Sequence, residues 1–186
     1  MEGAIEMKKT LLTISVLALS AFMLMGCTTA GAESDGTPEA EQTETAQYTL
    51  ADTAGLLGKA DADIADAFGG GEENWTTDKS TYIGRIYQTE LYGEPVTVHA
   101  VCGEEKVMDA VSIWITDGEQ EVTDELVQTW QDRVTAFTGA EMEDEGVSGE
   151  SGTQSWRWNA EGNFYTLRLL EDILTLDINP AVGELK

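Results

Sequence analysis

Apolar residues recur at every second position in three successive stretches near the middle of the chain. These are "STYIGRIYQTELYG", "EPVTVHAVCG" and "KVMDAVSIWITDG", separated by Gly or Pro, the pattern of consecutive antiparallel strands with one face in a core. In the third, Val111, Ile113 and Ile115 share one face and Ala110, Ser112 and Trp114 the other. In the second, Cys102 is in phase with Val96, Val98 and Ala100, while His99 points the opposite way. Three more strands are expected around "TQSWRWNA", "NFYTLRLL" and "DILTLDIN".

Between the two sets lies "VTDELVQTWQDRVTAFTG", where the period changes from two to that of a helix. Thr123 is the N-cap, Asp124 and Glu125 favour the positive end of the dipole, and Gly139 is the stop. Its apolar stripe is Val122, Leu126, Trp130, Val134 and Phe137. Two shorter helices precede the first strands. In "TLADTAGLLG", Thr49 caps, Asp52 reaches back and Gly58 terminates. In "KADADIADAFGGG", Ile64 and Phe68 fall on one face and Gly69 ends the helix. "GGGEEN" reads as a turn, and "AEMEDEGVSGESG" as an acidic loop.

These elements predict an α+β domain over residues 48–186. An antiparallel sheet of about six strands carries helices on one face, in helix-β3-helix-β3 order, and its other face is open. No residue string repeats clearly enough to make this duplication of architecture a sequence repeat.

Upstream, residues 28–47 contain no aromatic residue and no Val, Ile or Leu. Such a segment buries too little to offset its ordering entropy, so residues 27–47 are read as a disordered tether. Before it stands "MKKTLLTISVLALSAFMLMGC". Lys8 and Lys9 precede a stretch from Leu11 to Met25 that is shorter than the roughly 20 residues a membrane span needs, and residues 1–26 fit a signal peptide. Glu2 and Glu6 are out of place in a positive n-region, which favours translation starting at Met7.

Leu24-Met25-Gly26-Cys27 resembles the lipobox of bacterial lipoprotein precursors, with Met25 where a smaller residue is commoner. The resemblance implies cleavage before Cys27, a diacylglyceryl group on its thiol and often an acyl group on its amine. It also implies attachment to a bacterial cell membrane on the extracytoplasmic side. Acyl chains contribute about 0.8 kcal/mol per buried methylene, so two or three make a stable anchor. With Cys27 lipidated, Cys102 has no disulfide partner and reads as a small buried hydrophobe.

The formal net charge of -25, from 35 acidic and 10 basic residues, excludes a nucleic-acid partner, which needs a basic patch. It also makes anionic headgroups repel the domain, leaving the lipid as the membrane attachment. Five Trp, five Tyr and four Phe argue for a packed core beyond the tether.

"GLLGKADADIADAFGGGEENW" is similar to the opening of the small lipoprotein of the outer-membrane barrel-assembly machinery and of β-lactamase-inhibitor proteins, where a Gly, a short helix and another Gly precede a run of strands. That likeness implies a binding or assembly role without catalysis, and no functional residues carry over from it.

Catalytic and metal motifs are poorly matched. His99 is the single histidine, and Cys102 lies on the opposite strand face, so neither a Cys-His nor a zinc arrangement is formed. Asp61, Asp63 and Glu72 approach calcium-loop spacing, but Ala65 and Asp66 occupy positions that need a ligand and a glycine. No catalytic or metal residue is assigned, and no cofactor beyond the covalent lipid.

Arg85, Arg157 and Arg168 are scarce cations inside predicted strands. Together with Tyr87 and His99 they would form an aromatic and guanidinium patch if they share the open face, a composition enriched in interface hot spots. The competing reading is that each arginine pairs with a nearby carboxylate. Trp156 and Trp158, which alternate with Arg157, are expected in the core. The function expected from all this is a lipid-anchored, non-catalytic module that binds a protein or an envelope component. A ligand- or cation-binding sensor and an enzyme using paired carboxylates are the alternatives.

Overall fold

The computed structural model describes residues 47–103, 105–149 and 151–181. The segment expected to be a signal peptide, Cys27 and nearly all of the expected tether lie outside the described residues. Three α-helices, α1 (Leu50–Ala54), α2 (Asp61–Ile64) and α3 (Asp124–Thr138), accompany eight strands. The strands are β1 (Glu72–Trp75), β2 (Tyr82–Leu91), β3 (Glu94–Cys102), β4 (Met108–Trp114), β5 (Glu143–Ser148), β6 (Thr153–Ala160), β7 (Asn163–Leu170) and β8 (Ile173–Pro180). None of the described helices is long and apolar enough to cross a membrane.

All eight strands form one antiparallel sheet in the order β1-β2-β3-β4-β8-β7-β6-β5. Each half is a four-stranded meander preceded by helix, and β4 meets β8 antiparallel at the centre, with Val111 opposite Ile178 and Ile113 opposite Leu176. The halves are therefore related by an approximate two-fold axis normal to the sheet. The expected duplication is present, but its unit is helix followed by four strands, and the sheet has eight strands in place of six.

The two additional strands are the edges. β1 and β5 occupy segments expected to be a turn and an acidic loop, because "EENW" and "EDEGVS" lack apolar alternation. A strand with one neighbour and little burial does not need such alternation, and charge on it discourages pairing with another chain. β5 also changes register between Asp144 and Gly146, which breaks the period further.

Helices α1 and α3 follow their capping chemistry. In α1 the Asp52 carboxylate accepts the Thr49 backbone N–H at 2.7 Å and the Thr49 hydroxyl at 3.0 Å. The helix ends at Gly55, earlier than the expected Gly58. The second expected helix is split into α2 and a 3-10 turn at Ala67–Gly69, where Phe68 has φ 53°. Aromatic packing holds it there, since the Phe68 ring sits edge-on to Tyr48 at 4.9 Å and to Tyr87 at 5.3 Å. In α3 the Thr123 hydroxyl accepts the Leu126 N–H at 3.2 Å, and left-handed Gly139 donates its N–H to the Thr135 carbonyl at 2.8 Å.

The α3 face in the core is Val127, Trp130, Gln131 and Val134, so the predicted stripe holds at Trp130 and Val134. Leu126 and Phe137 flank it, and Phe137 is 37% exposed. The helices cover one side of the sheet. Leu50, Ile64 and Trp130 are buried in one cluster with Tyr87, Val98, Val111, Ile113, Trp158, Leu167, Leu176 and Ile178. Cys102 packs against the same cluster, in the phase read from its strand.

Candidate functional site: the open face of the sheet

Strand alternation and register set what the uncovered face displays. Because Tyr87 pairs with Val98 and Val98 with Ile113, the residues one step away must lie on the opposite side. The register runs Ile86, His99, Ser112, Asp177, Thr166, Arg157 across six strands. The adjacent row runs Gln88, Thr97, Trp114, Thr175, Arg168, Ser155. Among the described helices, α3 reaches these rows through Leu126 at the end of the sheet where β3 begins.

The five residues expected to form one patch are divided between the faces. His99, Arg157 and Arg168 lie on the open face. Arg85 and Tyr87 lie on the helix side, opposite Ala100 and Val98. The sequence alternation put Arg85 and Tyr87 together correctly, but the side they share is the covered one, because Tyr87 is fully buried and its hydroxyl donates to the Ile64 carbonyl at 2.7 Å. Burial pushes the Tyr87 phenol up to about 12, so it remains a donor.

Arg85 is a latch between β2 and α2. Its Nε and Nη2 donate to the two Asp61 carboxylate oxygens at 2.8 and 3.0 Å, and its Nη1 donates to the Gly71 carbonyl at 3.2 Å. Tyr82 donates to the same carboxylate. Burial raises the Asp61 pKa, but the hydrogen bonds from Arg85 and Tyr82 and the Arg85 charge outweigh it and hold the carboxyl below its ordinary value. Asp61, the first residue of the considered calcium loop, is thus committed to an ion pair.

The other strand arginines are also paired. Arg157 on β6 reaches Glu145 on β5 at 2.8 Å and lies over the Phe164 ring at 5.3 Å. Arg168 on β7 bonds Asp177 on β8. These two pairs are cross-strand, as the competing reading had it. Arg133, on α3, forms a fork with Glu94 at 2.7 and 2.9 Å.

His99 and Trp114 sit on adjacent strands with ring centroids 5.6 Å apart and planes inclined by 40°. Burial pushes the His99 imidazole below its usual value, which leaves it neutral at pH 7. Ser112 and then Asp177 follow it in the same row, a sequence of His, Ser and Asp across three strands. This is not a hydrolytic triad. The imidazole must stand between the hydroxyl and the carboxylate, whereas here Ser112 is in the middle and Asp177 is held by Arg168.

Beside this pair, at the end of the sheet where β3 begins, is a groove of about 440 Å³ lined by Gln88, Thr97, His99, Trp114 and Asp117 and also by Leu126 of α3. Trp114 is 38% exposed. The sequence pattern gives it no site role, although its phase sets it with Ser112 on the face opposite Val111 and Ile113. A tryptophan in the polar phase of a strand was the available clue.

Comparison with protein-family models, with curated proteins and with solved structures finds no match in any of the three.

Proposed function

We propose that this chain is a lipid-anchored extracytoplasmic binding module, held by the lipid on Cys27 and recognising a protein or envelope component with the open face of its sheet. The observation that carries the reading is that the described helices bury their apolar faces on the other side of the sheet, while this side displays Trp114 beside His99. Surface aromatics of this kind are enriched where proteins meet. The anchor rests on the lipobox resemblance and on the acidic surface, for which lipid is the attachment that charge does not oppose.

A non-catalytic role suits the side-chain chemistry. General acid–base work needs carboxyl groups with pKa values driven apart. The most enclosed carboxylate of the ion pairs, Asp61, is instead fixed as an ion by Arg85.

Metabolic labelling with palmitate in the native host tests the anchor. Label and membrane attachment should both be lost in a Cys27→Ser variant, and retention of both in that variant would overturn the anchoring. Affinity capture of the membrane-attached protein tests the binding role. A partner held by the native chain and lost in a folded Trp114→Ala variant supports the reading, and a partner held equally by both removes the open face from it.

A further inference from the structure

We infer that the groove beside Trp114 and His99 receives a cationic segment, a Lys- or Arg-bearing stretch of a protein partner. The inference rests on the binding reading above and supplies the chemistry of the partner. The groove is built where β3 begins and β4 ends. Gln88, Thr97 and Trp114 form one register row along its floor, and the segment from Ile115 to Gln120 supplies a wall.

Charge decides the occupant. No lysine or arginine lines the groove. Of its carboxylates, Glu94 is neutralised by the Arg133 fork. Asp117 is different. One of its oxygens accepts the Glu119 N–H at 3.1 Å, and no cation among the described residues pairs with it. Burial keeps His99 uncharged, so the local charge is negative. Arg85, Arg133, Arg157 and Arg168 are each engaged by a carboxylate of the domain itself, which leaves the acidic excess to face solvent.

Geometry supplies the rest. Tryptophan is the best aromatic partner for a cation placed over its face, and Trp114 is partly exposed in the same groove that Asp117 lines. A guanidinium or ammonium there gains the ring and a carboxylate together. The Thr97 hydroxyl is donated to the Gln88 side-chain oxygen at 3.0 Å, leaving the Gln88 amide nitrogen for a backbone carbonyl of the partner. The volume is at the small end of ligand pockets, enough for one or two side chains of a docked segment and too little for a folded module.

The test uses the full chain in detergent and the peptide acetyl-Gly-Arg-Gly-Arg-Gly-amide, with its Glu counterpart as control, titrated calorimetrically at 150 mM salt. The Arg peptide should bind and the Glu peptide should not. Asp117→Asn and Trp114→Ala should each weaken binding about tenfold, consistent with a cation–π contact and a charge-assisted bond. A Glu143→Gln/Asp144→Asn variant, altered on the remote acidic strand β5, should change it less than twofold.

Equal weakening by the β5 variant would overturn the inference in favour of diffuse attraction to an acidic surface, and so would absence of binding or indifference to Trp114 and Asp117. A native partner that is still lost on Trp114→Ala but retained on Asp117→Asn would keep the binding role while rejecting the cationic occupant.

Discussion

The His99 imidazole lies 5.6 Å from the Trp114 indole across the β3–β4 pair, with the planes at 40°, and burial holds that imidazole below its usual pKa. This pair is the aromatic centre of the sheet's uncovered face and carries its own pH dependence. A histidine whose folded pKa lies below its unfolded value of about 6.5 binds fewer protons when folded. Its contribution to stability is complete above pH 6.5 and is lost as pH falls through the folded value.

Acidification also relieves repulsion in a chain of net charge -25, so the informative quantity is a difference between proteins. Between pH 7.5 and pH 5 the thermal midpoint of the native chain should fall relative to that of a His99→Gln variant. Parallel midpoints would mean that the fold does not disfavour the charged imidazole.

Two arginines should differ sharply in worth. Arg85 and Asp61 are 12% and 15% exposed at their side chains, and removing one partner of an enclosed pair costs about 3–5 kcal/mol. Arg168 is 44% exposed, and such surface pairs contribute about 0–1 kcal/mol. Urea denaturation should accordingly find Asp61→Ala several-fold more damaging than Arg168→Ala. Equal losses would contradict the latch between α2 and β2.

The same latch gives an acid limb. Because the Asp61 carboxyl is held below its ordinary value of 3.8, its stabilisation is present above that value and is lost as pH falls through the lower folded one. Stability profiles between pH 5 and pH 2 should show a steeper acid loss in the native chain than in Asp61→Asn.

Gly84 is a position where no side chain fits. Its φ is 140°, and a Cβ there would lie 1.9 Å from the Ala100 carbonyl oxygen, a contact that neither β2 nor β3 can relieve without breaking their pairing. Gly84→Ala should lose at least about 3 kcal/mol or fail to fold, read by circular dichroism and urea titration. A variant with native stability would mean that the two strands are less closely apposed at this point.

Where burial imposed a period, the chain announced its structure. Val96, Val98 and Ala100, then Val111 and Ile113, mark the covered face, and Trp156 and Trp158 alternate with an outward Arg157. Thr123 and Gly139 bounded α3 for the capping reasons that make those residues useful there. The edge strands were hidden because Glu72–Trp75 and Glu143–Ser148 bury too little to enforce alternation.

The spacing from Ile64 makes Phe68 helical, because nothing local reveals that Tyr48 and Tyr87 will clasp its ring in a left-handed turn. The candidate patch failed to assemble for a different reason. Alternation correctly paired Arg85 with Tyr87, but which side a strand turns to the helices is a long-range outcome, and Asp61, which captures Arg85, arrives from another element. Trp114 was legible by phase, yet its importance emerged only when register placed it beside His99 and the segment bearing Asp117.

The most direct measurement is photo-crosslinking in the native host from a benzophenone amino acid placed in turn at Thr175, beside Trp114 on the open face, and at Ala136 on the exposed side of α3. Recognition through the open face predicts a discrete crosslinked partner from position 175 and none from position 136. A partner captured from 136 alone, or equally from both positions, would contradict recognition through the open face of the sheet.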